Sequence, residues 1–249
     1  MTFHAPIANI GAFVAAYAHS DFLGKLVILS LVSLSVICWV LLVQKIWTTR
    51  QVVHISDAFK KAYFLNKEKL LHLDLDQLPR PKNARVPHPF GEIFKEMKAK
   101  TVEILNKNLY FSSQKEAQVY LSSEDLNSIE SHGLSTISSE TKRLEKNLFV
   151  LATIVTLAPF LGLLGTVWGI LIAFSELGAG ASAASNTAVL GGLSTALATT
   201  VLGLIIAIPA LVSYNYLKNE IKQYSSEMEE FLYQLLFTVE LHYRKADVS

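Results

Sequence analysis

The sequence predicts an all-α membrane protein: three transmembrane helices with long cytoplasmic helical extensions. Three observations carry that prediction. Between Lys146 and Lys218 the chain runs 71 residues with one charged side chain, Glu176. A second uncharged run covers the eighteen residues from Leu26 to Val43. Lys and Arg are unevenly placed: 17 lie from Lys45 to Lys146, four from Lys218 onward and none from Leu177 to Ala188. About 20 apolar residues cross a bilayer, so the long run holds two spans and the short one a third.

Residues 1–21 carry Ile7, Ile10, Phe13, Val14 and Tyr17 at helical spacing, an amphipathic segment expected on the outer face. The first span is expected over 22–44, with Trp39 and Trp47 toward its far end, where amphipathic rings collect at the interface. No Lys or Arg precedes Lys25 and no small-residue cleavage pattern follows the apolar run, so this reads as a retained helix rather than a signal peptide. Basic flanks mark the cytoplasmic side. Lys45 and Arg50 flank the first span, Lys142, Arg143 and Lys146 the second, Lys218 and Lys222 the third. The N-terminus is therefore expected outside and the C-terminus inside. The lone Cys38 falls within the first span as an apolar filler, and one cysteine forms no internal disulfide.

Residues 45–147 are expected to form a cytoplasmic helical loop. Val53, Phe59, Tyr63 and Leu70 fit one helix, and the run Leu78-Pro79-Arg80-Pro81-Lys82-Asn83 breaks it. A helix is expected from Phe90 to about Thr101. Another is expected from Ser122-Ser123-Glu124 through Ile129, Ile137, Leu144 and Leu148 into the membrane, with Ser122 and Asp125 in capping-box spacing. The second span is expected over 148–176, an outer turn over 177–188 and the third span over 189–216. Residues 217–249 continue as a cytoplasmic C-terminal helix. There Leu217, Ile221, Tyr224, Met228, Phe231, Leu235 and Thr238 alternate spacings of four and three, a coiled-coil seam. The seam fits packing on the cytoplasmic loop or on a neighbouring subunit equally well.

No enzyme signature stands out. His54, His72, His88 and His132 lack zinc-ligand spacing, and no glycine-rich phosphate loop follows a predicted strand. No catalytic residues, metal site, cofactor or nucleic-acid partner are expected.

The second span carries Gly162, Gly165 and Gly169 at i, i+3 and i+7, and the third carries Thr199, Gly203 and Ala207 at i, i+4 and i+8. Such stripes let helices approach closely. Pro159 removes one helical hydrogen bond, and Thr156 is a nearby hydroxyl able to compensate. A rise of about 1.5 Å per residue places Thr166 about 15 Å inside Glu176 and Thr200 about 18 Å beyond Ala188. The midplane of a bilayer lies at about 15 Å. Two readings are open for these threonines: a polar pathway, or hydroxyls bonding back to their own helix. The second and third spans contain no Asp, Glu, Lys, Arg or His apart from Glu176 at the outer end, so a proton relay would need a carboxylate from a partner.

The segment Ala158-Pro159-Phe160-Leu161-Gly162-Leu163-Leu164-Gly165-Thr166-Val167-Trp168-Gly169-Ile170 resembles the second membrane segment of the TolQ/ExbB branch of the MotA/TolQ/ExbB family. Residues from Ala196 to Ala210 resemble the third. The resemblance runs from the first span onward and is weakest in the cytoplasmic loop. It implies a homo-oligomeric ring, usually a pentamer, in the bacterial inner membrane around ExbD/TolR-like single-span subunits. Each of those carries an intramembrane aspartate. It further implies that an ion-motive force, of H⁺ or Na⁺, drives mechanical work on a TonB/TolA-like envelope protein; threonine hydroxyls serve either ion. By position, Thr166 and Thr200 match the family's pore-facing threonines and Pro159 its second-span proline. The candidate ion-pathway residues are thus Thr166, Thr200, Thr199 and Thr195. The candidate packing residues are Gly162, Gly165, Gly169, Gly203, Pro159 and Ala207. Where many family members have a glutamate at the entrance of the third span, this chain has Thr195. The flagellar MotA branch has four spans, against three here. The competing reading is a non-conducting helical scaffold. A self-sufficient transporter is disfavoured by the absence of inverted repeats.

Overall fold

The computed structural model describes residues 14, 17, 18, 20–66, 86–111, 120–178 and 183–243. They form α1 (Phe22–Asn66), α2 (Pro89–Phe111), α3 (Ser123–Glu145), α4 (Leu148–Gly178) and α5 (Ala183–Tyr243). The fold is all-α, and α1, α4 and α5 are long and apolar enough to cross a membrane. Most of the expected outer-face segment, 1–21, and Leu70 lie outside the described residues.

The chain divides into two compact units, residues 1–44 with 147–216 and residues 45–146 with 217–249. In the first, α4 buries Leu148, Leu151, Ile154, Ala158, Gly162, Gly165, Gly169 and Ala173, a single face at steps of three and four. The rest of its surface is equally apolar: Phe149, Phe160, Leu163, Val167, Leu171 and Phe174 are all exposed. A helix that is apolar all round suits lipid, not water.

The second unit is built on aromatic packing. Phe59 and Tyr63 of α1, Phe90 and Phe94 of α2, and Tyr224 and Phe231 of α5 are buried in one cluster with Ile129 and Ile137 of α3. Their rings meet edge to face: Tyr63–Phe231 and Phe90–Phe231 centroids are 5.2 Å apart, and Phe90–Tyr224 5.3 Å. The seam on α5 packs into this cluster, since Tyr224, Met228, Phe231 and Leu235 belong to it. Of the two readings open for the seam, the fold takes the intramolecular one for these residues. Helix α3 begins with the expected capping box: Ser122 Oγ accepts from Asp125 N at 3.1 Å, and Asp125 Oδ2 accepts from Ser122 N at 2.9 Å. Lys45 Nζ donates to the Leu144 carbonyl at 2.7 Å, satisfying an acceptor in the last turn of α3.

Three local expectations are corrected. Helix α2 does not stop near Thr101 but continues to Phe111, because Ile104 and Leu105 keep its apolar face on the cluster. The helix from Ser122 does not run unbroken into the membrane. It ends at Glu145, and Asn147 adopts φ 68° before α4 starts. Asparagine is among the few residues that enter the left-handed region readily. Of the turn expected over 177–188, residues 177, 178 and 183–188 are helical, since α4 extends through Gly178 and α5 starts at Ala183.

Candidate functional site

The candidate residues gather where α4 meets α5. A Cβ added at Gly162 would lie 2.9 Å from the Thr199 carbonyl oxygen and 3.0 Å from Thr200 Cα. At Gly203 it would lie 2.5 Å from the Ala158 carbonyl oxygen. Gly169 and Gly192 face one another, each added Cβ falling 2.7 and 3.0 Å from the other's carbonyl oxygen. Gly165 faces the Thr199 side chain. The approaches at Gly162, Gly169, Gly192 and Gly203 are to main-chain atoms and any side chain would block them, so these bare positions set the spacing of the two helices. Ala207 is buried farther along α5. Pro159 is partly exposed on α4. Thr156 donates to the carbonyls of Thr153 (3.0 Å) and Ala152 (3.3 Å), so its hydroxyl does not replace the bond that Pro159 withholds from Val155.

The four threonines divide into two environments. Thr199 is fully buried, 0% exposed, and donates to the Ala196 carbonyl at 2.8 Å with Gly162 O at 3.4 Å. Thr200, one position around the helix, is partly exposed and donates to the Gly162 carbonyl at 3.1 Å. Thr166 is also partly exposed and donates to Leu163 O at 2.7 Å. Standing four residues after Gly162, it lies one turn along the same face of α4. Thr195 is 5% exposed and donates to the Gly191 carbonyl at 2.9 Å.

Toward the outer end, Ser20 Oγ donates to Thr195 Oγ1 at 3.3 Å and Trp168 Nε1 donates to Asp21 Oδ2 at 2.8 Å. Ser20, Asp21, Trp168, Thr195 and Glu176 line a cavity of about 260 Å³ that reaches inward to Gly165. The sequence reading gives Ser20 and Asp21 no role and names Trp168 only within the second-span motif. A signal was present: Asp21 directly precedes an apolar helix, the N-cap position that Asp favours. Its pairing with Trp168 has no local signature. His132 Nε2 lies 3.4 Å from Glu96 Oε2, and His88 packs against Phe59 with centroids 4.9 Å apart. Both histidines belong to the second unit.

Residues 101–230 match the MotA/TolQ/ExbB proton channel family. The chain is 30% identical over 225 residues to the biopolymer transport protein ExbB of Salmonella typhimurium, covering 88% of this chain and 83% of that protein. It is 30% identical over 191 residues to the Tol-Pal system protein TolQ of Pseudomonas aeruginosa, covering 77% and 76%. A shorter match, 42% identical over 82 residues, joins it to an ExbB of Aquifex aeolicus, covering 33% of this chain and 55% of that one.

Proposed function

The chain belongs to the MotA/TolQ/ExbB proton channel family, as a subunit of an energy-transducing membrane complex, and from that premise we propose that it is the ion-conducting stator. On this reading it forms a homo-oligomeric, pentameric ring in the bacterial inner membrane. Its spans are 22–44, 148–176 and 189–216, with the N-terminus periplasmic and the C-terminus cytoplasmic. Residues 45–147 and 217–249 are then cytoplasmic. The ring encloses an ExbD/TolR-like single-span partner whose intramembrane aspartate is neutralised and exposed in turn by proton flow. The resulting movement is passed to a TonB/TolA-like envelope protein.

The observation that carries this reading is a pair of partly exposed hydroxyls: Thr200 on the Gly162 carbonyl, and Thr166 one turn along α4 from Gly162, bonded to the Leu163 carbonyl. It is polar, near mid-span, and without a titratable side chain of its own. A hydroxyl both donates and accepts, so it can meet either protonation state of a partner carboxylate. Proton relays in membranes use ionisable groups, which here must come from elsewhere.

Thr199 favours the second reading, a non-conducting scaffold: it is wholly enclosed between α4 and α5 and serves packing. Native mass spectrometry of the detergent-extracted protein, with and without a co-expressed single-span aspartate-bearing partner, separates the two. A homo-oligomer retaining two partner copies supports the stator. A monomer or dimer indifferent to the partner leaves the scaffold.

A further inference from the structure

We infer that Asp21 is a positioning residue for the ion pathway: its two carboxylate oxygens tie the start of α1 to α4 and thereby hold the Ser20 hydroxyl on Thr195. The inference rests on the conducting role proposed above and adds a residue to it.

The two oxygens of Asp21 serve different elements. Oδ1 accepts from Gly24 N at 3.0 Å and closes the first turn of α1, while Oδ2 accepts from the indole of Trp168 on α4 at 2.8 Å. Both bonds are charge-assisted, the stronger class. The cap also requires a bare residue at its third position. A Cβ at Gly24 would lie 2.9 Å from Asp21 Oδ1 and 3.2 Å from Ser20 Cβ. Ser20 is adjacent in the chain and buried, and its hydroxyl reaches Thr195 of α5 at 3.3 Å. Thr195 in turn commits its own proton to the Gly191 carbonyl at 2.9 Å. Two hydrogen bonds made by the adjacent residues Ser20 and Asp21 thus join the start of α1 to the outer ends of α5 and α4, and Asp21 bonds to two elements through separate acceptors.

That arrangement demands a carboxylate. An asparagine offers one acceptor oxygen and a donor NH₂, and the NH₂ would face either the Gly24 N–H or the indole N–H. A glutamate keeps the charge but carries both oxygens one methylene farther from the backbone. Trp168→Phe removes the indole donor and leaves a ring in place. These three substitutions therefore separate charge from position.

The test places cysteines at Ser20 and Thr195 in a Cys38→Ser background and measures their oxidative cross-linking in membranes, with the single-span partner co-expressed. Asp21→Asn, Asp21→Glu and Trp168→Phe are each expected to slow cross-linking about tenfold, the change that loss of one charge-assisted hydrogen bond produces. In the parent background, with Ser20 and Thr195 retained, the same three substitutions are expected to lower ion flux by a similar factor. The double variant Asp21→Asn/Trp168→Phe should fall no further than either single change, because both break one bond. Unchanged cross-linking in Trp168→Phe, or full flux in Asp21→Glu, would overturn the positioning role. Slower cross-linking with undiminished flux would make Asp21 a structural cap alone and overturn its place in the pathway. If the parent protein passes no ions while cross-linking still follows Asp21, the conducting role falls and the anchor stands.

Discussion

Thr200 Oγ1 donates a 3.1 Å hydrogen bond across the helix interface to the main-chain carbonyl of Gly162. The contact is open to a hydroxyl because Gly162 has no side chain, and a Cβ there would lie 3.0 Å from Thr200 Cα. Close packing and polarity therefore meet at one pair of residues. Replacing Thr200 with Val keeps the shape and removes the bond, at a cost of about 1 kcal/mol in stability. Ion flux through the partner-bound complex should be abolished while native mass spectrometry shows assembly intact. The same outcome is expected for Thr166→Val.

The glycine contacts predict a graded response to alanine. Gly203→Ala would drive a Cβ to 2.5 Å from the Ala158 carbonyl, and Gly162→Ala to 2.9 Å from the Thr199 carbonyl; neither backbone neighbour can rotate away. Each should destabilise the protein by about 1–3 kcal/mol. Gly178, with nothing among the described residues within 4 Å of its added Cβ, is the control and should tolerate alanine. Thermal unfolding in detergent, with yield of the assembled complex as a second readout, checks the order.

Glu140 predicts a pH effect in the second unit. It is 8% exposed; Oε1 lies 3.6 Å from Arg143, and Oε2 has no hydrogen-bond partner among the described residues. Burial raises its carboxyl above the ordinary value of 4.5, with Arg143 opposing the shift and Glu92 adding to it. A carboxyl raised in the folded state holds its proton more tightly there than when unfolded. Its penalty is absent below the unfolded value, and stability falls as pH rises from about 4.5 through the raised value. Glu140→Met removes both the charge and the orphaned acceptor. It should stabilise the protein by about 1–2 kcal/mol at neutral pH. The gain should shrink toward nothing as pH falls to the ordinary carboxyl value. Melting curves across that range check the slope.

The aromatic cluster predicts where the α5 seam acts. Phe231 packs edge to face on Tyr63, Phe90 and Phe59 of its own chain. Truncating such a core aromatic costs about 3–5 kcal/mol. Phe231→Ala should therefore open residues 45–146 and 217–243 to limited proteolysis even in protein dissociated to single subunits. A seam serving neighbouring subunits would show that sensitivity only on dissociation, irrespective of the substitution.

Much of this was legible in the chain. The single charge between Lys146 and Lys218 marks long apolar helices because ionised groups are costly in lipid. The alternation Tyr224, Met228, Phe231, Leu235 marks a buried seam because side chains return to one face every three or four residues. The break at Asn147 was hidden: Leu144 and Leu148 continue the helical spacing across it, and neither Gly nor Pro announces it. The start of α5 was obscured by Ala183-Ala184-Ser185-Asn186, in which alanine favours helix while serine and asparagine favour caps and turns. In the site, the glycine face was visible as a pattern. The different fates of Thr199 and Thr200 were not, since one step around a helix separates an enclosed hydroxyl from an edge one. Asp21 and Trp168 stand 147 positions apart, and only the folded chain brings them together.

Proton flux into liposomes holding the protein with its single-span partner, under an imposed membrane potential, tests the central claim most directly. The account predicts partner-dependent flux that is lost when the partner's intramembrane aspartate becomes asparagine and lost again in Thr200→Val, with both complexes still assembled. Flux by this chain alone, or full flux in an assembled Thr200→Val complex, would contradict it.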